Sequence, residues 1–271
     1  MRKVIYSLIL ILGLVVSAEC LAADLLVPEG FKTIRQAVDS AMPGDTIIIN
    51  EGVYSENLII RKPVTIKSVK GDSFTIIRAA NPDQPVIKIV ETDNVTITGV
   101  AAKGSRSSGI TLVKASRSNI TDNTTSDNVY GISLYDSNEN VISGNTAASN
   151  EYYGIYLERS SGNTLLKNTA NHNLDKGFFI SYSNRNTIKE NSANLNTWNG
   201  ITLWSSHDNI INGNMTLRNT YGIVVSDSNN NELTDNTTLP NVFIILPIVL
   251  IYLGIITYMI QKNILRLVYR S

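Results

Sequence analysis

The residues of this chain best suited to chemistry recur at fixed distances from a repeated glycine. Two residues after Gly109, Gly131, Gly154, Gly177, Gly200 and Gly222 stand Thr111, Ser133, Tyr156, Phe179, Thr202 and Val224. Four residues after them stand Val113, Tyr135, Glu158, Ser181, Trp204 and Ser226. If both columns face outward from a sheet, Tyr135, Tyr156, Phe179 and Trp204 form an aromatic strip with Tyr182 at its edge. Such a strip suits stacking on sugar rings, because each side chain has a large apolar body and Tyr and Trp add a polar tip. It suits equally well a cross-strand pairing of rings that stiffens the sheet, or a face covered by a loop or partner. Glu158 is the one carboxylate in the strip and its one catalytic candidate. Glycoside hydrolysis wants two carboxylates facing one bond, and no such pair is evident. Lys114, Asp136 and Arg159 fall on successive repeats of the next column, the pattern of an exposed charge ladder that contributes little.

Metal chemistry has few donors to draw on. His172 and His207 occupy different columns, and only Met215 and the single Cys, Cys20, could join them, whereas soft-metal sites need several converging ligands. No metal or other cofactor is expected. No phosphate-cradling loop, nucleophile elbow or dinucleotide motif occurs. The chain carries 23 basic and 23 acidic residues, a balance without the basic stripe that a nucleic-acid partner calls for. Asn-x-Ser/Thr sequons fall at Asn94, Asn119, Asn123, Asn214 and Asn236. The last three sit in recurring Asn columns that should be buried, which leaves Asn94 and Asn119 as the glycosylation candidates.

The elements that must position these residues follow from the same repeat, 22 or 23 residues long and told six times between Gly109 and Asn241. Its apolar residues alternate, which is the period of a strand. One unit reads as three short strands. The first turns Ile and Leu inward, as at Ile132 and Leu134. The second turns one aliphatic inward, in the column Ile120, Ile142, Leu165, Ile188, Ile211, Leu233. The third turns a small residue inward, in the column Thr125, Ala147, Ala170, Ala193, Thr216, Thr238. No connection is long enough for a crossover helix. Coils stacked at about 4.8 Å therefore make a parallel β-helix solenoid of about eight coils.

Two Asn columns, Asn123 to Asn236 and Asn128 to Asn241, mark the turns. There a side-chain amide can bond its stacked neighbours and the stranded turn backbone. The repeated Gly is expected to mark a positive-φ turn before the first strand.

Upstream, Thr33 and Gln36 form a capping box for a helix over Phe31–Met42, with Ile34, Ala37, Val38 and Ala41 on one face. Pro43-Gly44 stops it, and it would cover the first coil. The stretch Thr33–Leu58, with its Thr-Ile-Ile-Ile-Asn-Glu-Gly-Val-Tyr core, resembles the opening of NosD-like and pectin-lyase-like β-helix proteins. The later Asn-x-Ile-x-x-Asn units, such as Asn140–Asn145 and Asn186–Asn191, resemble that family's repeat. The likeness covers roughly residues 27–241 and implies a right-handed parallel β-helix. Family members include lyases, hydrolases, epimerases and non-enzymes, so the likeness leaves activity open. Those acting on acidic polysaccharides carry clustered carboxylates or basic residues on one outer face. The paired-Asp and Gly-His-Gly motifs of polygalacturonase-type relatives are absent here.

The ends complete the plan. Residues 1–23 resemble a secretory signal: Arg2 and Lys3, an apolar run over Val4–Val16, then small residues. Residues 24–44 would hold an N-terminal strand and the capping helix, 45–108 irregular coils, and 109–241 the regular repeats. Val242–Ile260 is a run without a charge, long enough for a transmembrane helix. The basic tail 261–271 follows it and would lie in the cytoplasm, with the β-helix outside the cell membrane. The expectation is an exported, membrane-anchored, non-catalytic surface module that is structural or binds a cell-surface or envelope polysaccharide. Its rivals are a polysaccharide lyase or hydrolase using the face around Glu158, and a NosD-like accessory protein for metalloenzyme maturation.

Overall fold

The computed structural model describes residues 22–240, 251 and 253–260. It is a right-handed parallel β-helix with one wall of ten strands and one of eight, the third wall being a five-stranded and a two-stranded sheet linked by single bridges through Thr169 and Ser192. The regular coil is the one the alternation dictates: Tyr130–Tyr135, Val141–Ser143 and Thr146–Ala147 form one turn of the solenoid. Each strand pairs in parallel with its counterpart 22 or 23 residues on, so Ile110, Ile132, Ile155, Phe178, Ile201 and Ile223 stack in one inward column. Ile142, Leu165, Ile188 and Ile211 fill the opposite wall, and Ala147, Ala170 and Ala193 keep the third corner narrow, all fully buried.

The second sheet is ten strands deep, from Asp24–Val27 to Glu232–Thr234, which makes about nine coils where the sequence suggested about eight. The additional depth lies upstream, where Asp24–Val27 pairs with Thr46–Ile49 and that strand with Thr65–Ser68 without Gly or Asn markers. The helix is shorter than expected, Ile34–Ser40, with Thr33 as N-cap and Ala41 already extended. Its predicted face holds, since Ile34, Ala37, Val38 and Ala41 are all buried over the first coil. Glu56, from the next coil, accepts the otherwise orphaned N–H groups of Ile34 at 3.0 Å and Arg35 at 2.8 Å.

The glycine expectation needs correcting. None of the six repeated glycines has positive φ. They are required by stacking instead. A Cβ on Gly131 would lie 2.4 Å from the Gly154 carbonyl oxygen, 2.8 Å from Thr125 Oγ1 and 2.9 Å from Ala147 Cβ. Positive φ falls on the residue just before each ladder residue, as at Asp122, Gly144, Lys167 and Glu190 before Asn123, Asn145, Asn168 and Asn191.

A non-glycine residue held there costs about 1–2 kcal/mol, and the amide ladders offset it. Asn145, for example, donates its backbone N–H and its Nδ2 to Asn168 Oδ1, both at 3.0 Å, and its Nδ2 also to Ile120 O at 2.7 Å. Each such bond nets about 0.5–1.5 kcal/mol. Besides the two expected ladders there is a third, through Asn140, Asn163, Asn186 and Asn209. A fourth runs through Ser137, Ser160, Ser183 and Ser206, whose Oγ atoms accept the backbone N–H of the coil before.

The expected membrane span over 242–260 and leader over 1–23 lie mostly or wholly outside the described residues. Ile251 and residues 253–260 are helical. Among the described residues, no helix is long and apolar enough to cross a membrane.

Candidate functional site

The first strands of the repeats place the predicted aromatics on one outer face, in register. Ser133 pairs with Tyr156, Tyr156 with Phe179, and Ser181 with Trp204. The rings touch in sequence. Tyr135 meets Tyr156 edge-on with centroids 5.7 Å apart, Tyr156 and Phe179 are near-parallel at 5.4 Å, and Phe179 and Trp204 near-parallel at 6.4 Å. Tyr182 joins Trp204 at 5.6 Å.

A second row, which the Gly-based columns did not reach, completes the cluster. Tyr130 and Tyr153 sit one residue before their glycines and stack with each other at 5.5 Å. Tyr153 contacts Phe179 at 5.0 Å and Tyr156 at 5.3 Å, and Tyr152 flanks both Tyr130 and Tyr153 at 6.1 Å. The column Ser108, Tyr130, Tyr153, Lys176, Asn199, Tyr221 was open to reading in the sequence as the residue preceding each glycine. Lys176 occupies it in the next coil, its Nζ 5.0 Å from the Tyr153 ring centre and 5.2 Å from that of Phe179.

The expectation of a freely exposed strip is corrected in part. The rings of Tyr135, Tyr156 and Phe179 lie against one another and are only partly accessible, whereas Trp204, Tyr182 and Tyr152 are exposed by 42%, 52% and 46%. The small polar residues among them, Thr111, Ser133 and Thr202, are buried. They satisfy themselves locally: Ser133 Oγ donates to Thr111 Oγ1 at 2.8 Å, and Asn199 Nδ2 donates to Thr202 Oγ1 at 2.8 Å. Burial pushes the hydroxyls of Tyr135 and Tyr153 up to about 12. Burial first, and then the bond to Glu158, raises that of Tyr156 further.

Glu158 is held on both sides. Tyr156 Oη donates to its Oε2 at 2.8 Å, and Arg159 pairs with its Oε1 while its Nε donates to Asp136 Oδ1 at 2.9 Å. Those two bonds raise the Arg159 guanidinium above its ordinary value, so its charge is fixed. Asp136 and Glu158 therefore share one cation and do not flank an open space as an acid–base pair would. Lys176 is paired with Asp175 at 2.8 Å, and Trp204 Nε1 donates to Asp227 Oδ2 at 3.2 Å. The face presents rings, carboxylates and hydroxyls to a ligand. That inventory can stack on and hydrogen-bond a saccharide.

The histidines do not converge. His207 Nδ1 accepts the backbone N–H of Asn229 at 3.0 Å, a turn role. His172 stands at the corner after the third strand, beside a cleft of about 610 Å³ that Arg106, Asp127, Glu151 and Leu174 also line. Among the described residues, no group of three or more His, Cys, Asp or Glu could hold a metal ion. Asn94 and Asn119 are exposed on the outer surface, whereas Asn123 and Asn214 are buried in a ladder.

Comparison with known proteins agrees with this geometry. Over 131 residues the chain is 31% identical to a cell surface glycoprotein of Methanothermus fervidus, a match covering 46% of this chain and 21% of that protein. The matched stretch is thus about a fifth of the relative's length. Among solved structures, the periplasmic alginate epimerase AlgG aligns over 80% of this chain and 55% of its own, with a TM-score of 0.56 at 18% identity. Pectate lyase Pel9A aligns over 75% of this chain and 73% of its own, with a TM-score of 0.59 at 14% identity. These structural likenesses show a shared fold. The family described as periplasmic copper-binding protein (NosD) matches residues 38–199, 170–246 and 192–265, and the chain belongs to that family.

Proposed function

We propose that this protein is a non-catalytic, exported surface module that binds glycan through its aromatic face. The observation that carries the proposal is the ring cluster from Tyr130 to Trp204. Its rim residues Trp204 and Tyr182 are open to solvent, and hydrogen-bonding groups border it at Glu158, Arg159 and Asp227. Saccharide recognition needs that combination of an apolar ring and convergent polar groups. The cell surface glycoprotein relative and the NosD family description support a place outside the cytoplasm. Export by the 1–23 leader and anchoring by the apolar run 242–260 belong to the same proposal and rest on sequence.

Turnover is not part of it, because Glu158 and Asp136, the carboxylates beside Tyr135 and Tyr156, are tied to one arginine. Nor does copper enter. The donors the family description implies do not assemble among the described residues, where His207 is already engaged by backbone and His172 lies in another column.

A glycan array probed with the full chain and with Trp204→Ala tests the proposal. Retention of a defined sugar class, weakened about tenfold or more by the substitution, is the expected result. An array on which neither protein binds anything sinks the proposal.

A further inference from the structure

We infer that the saccharide this face accepts is uncharged, and that acidic polymers, the class that alginate- and pectate-acting β-helix proteins are named for, are excluded from it. The inference rests on the glycan-binding proposal above and adds its specificity. Four carboxylates border the rings, at Asp136, Glu158, Asp175 and Asp227, against three cations, Lys114, Arg159 and Lys176, so the border carries a net charge of −1. The two cations that lie among the rings are already committed. Arg159 bridges Asp136 and Glu158. Lys176 is bonded to Asp175, and its side chain, only 19% exposed, lies across the rings of Tyr153 and Phe179.

A uronate polymer carries a carboxylate on every sugar. Docked along the strip, it would meet Asp136, Glu158, Asp175 and Asp227 in turn, while the one cation outside these pairs, Lys114, stands a coil before Tyr135, at the far end from Trp204. To gain an ion pair among the rings it would have to pull Lys176 from Asp175, leaving that partly buried carboxylate alone. A neutral sugar meets no such penalty. Its hydroxyls can donate to the outer lone pairs of Glu158, Asp136 and Asp227, and its apolar ring face can lie on Trp204.

The same arrangement disfavours elimination or epimerisation chemistry at this face. Removing a proton beside a sugar carboxylate requires a cation to neutralise that carboxylate and a base to take the proton. Among the rings neither is unoccupied.

Titration calorimetry with the full chain, against neutral and uronate hexasaccharides of matched linkage, decides the matter. Neutral oligosaccharide should bind at least about tenfold tighter than uronate, because like-charge juxtaposition at an interface is strongly unfavourable. Its affinity should change less than about twofold when salt is raised from about 50 to 500 mM. The Asp175→Asn variant, which frees Lys176 from its carboxylate, should shift the preference toward uronates. Tight, salt-sensitive uronate binding by the unmodified chain, lost in Trp204→Ala, would overturn this inference while leaving the glycan-binding face intact. Binding of neither class overturns both.

Discussion

Replacing Asn163 with alanine tests whether the amide ladders, and not the apolar interior alone, hold the coils together. Asn163 is fully buried. Its Oδ1 accepts the backbone N–H of Asn140 at 2.8 Å and Asn140 Nδ2 at 3.1 Å, and its Nδ2 donates to Asn186 Oδ1 and Ser137 O, each at 3.1 Å. Alanine fits the space but leaves the Asn140 backbone N–H without an acceptor. An orphaned buried donor costs about 1–3 kcal/mol, and each lost neutral bond nets about 0.5–1.5 kcal/mol. The damage is local, because Asn140 Nδ2 keeps Ala115 O and the Asn163 backbone N–H keeps Asn186 Oδ1. The expected loss is therefore about 3 kcal/mol, roughly a hundredfold in an opening equilibrium.

Coils couple only to their neighbours, so hydrogen exchange on the full chain should show that increase at Asn140 and the adjoining coils and much less at the N-terminal helix. Asn163→Asp sharpens the test. Its second carboxylate oxygen would face the acceptors Asn186 Oδ1 and Ser137 O, so the variant should be less stable than alanine at neutral pH. Those acceptors raise the folded-state pKa of the introduced acid. Stability is then greatest below the unfolded value and is lost as pH rises through the folded one, so acidification should rescue it. An alanine variant within about 0.5 kcal/mol of the parent, the range of an ordinary surface change, would refute the ladder argument.

Three further outcomes are expected. Gly131→Ala should destabilise by about 1–3 kcal/mol or more, because its Cβ meets backbone and core atoms at 2.4–2.9 Å. Gly104→Ala has nothing within 4 Å and bears only the strain of its φ of +85°, so thermal melts should rank it the milder change. Tyr135 and Tyr153, held protonated to about 12, should titrate late in ultraviolet absorbance. Because the unfolded tyrosines ionise first, stability should fall from about pH 10 upward, and a flat profile there would contradict the buried cluster. Glycopeptide mass spectrometry of chain exported from a glycosylating host should find Asn94 and Asn119 occupied and Asn123 and Asn214 bare; occupancy at the buried pair would show modification before folding.

What the sequence disclosed depended on whether a residue's role lay in its own coil or between coils. Alternation gave the inward columns of Ile132, Ile142 and Ala147, and the two Asn columns already pointed to buried amides, because those signals repeat within one unit. The role of Gly131 was misassigned. Its constraint comes from the Gly154 carbonyl one coil away, a distance that exists only once the coils are stacked. The count fell one coil short because pairing of Asp24–Val27 with Thr46–Ile49 needs neither marker, only an apolar register and a helix over the end. In the site, Tyr156, Phe179 and Trp204 followed from their spacing. Tyr130, Tyr153 and Lys176 did not, because a turn at the glycine leaves the residue before it without a strand face; the first strand includes Tyr130 but begins only after Tyr153 and Lys176, whose outward placement shows in their ring contacts.

The distribution of the rings bears on the choice between a binding face and a stiffened sheet. Ladder corners at every turn make the coils nearly superimposable, and the interior columns admit little besides Ile, Leu, Ala and Thr. Only the outward columns are free to differ between coils. If rings served mainly to stiffen the sheet by cross-strand pairing, every coil would need them, since each coil depends on its own neighbours. Instead the outward positions hold Lys88, Thr111 and Val113 upstream and Val224 and Ser226 downstream, and those coils form the same sheet with the same register. The rings in mutual contact lie in the coils between Tyr130 and Trp204, where the border charges Asp136, Glu158, Arg159, Asp175 and Lys176 also gather, and Tyr221 one coil on belongs to none of these contacts. A local concentration of rings and paired charges on an otherwise uniform scaffold favours the proposed recognition surface over a stiffening role, since fold stability alone does not require these side chains to be there.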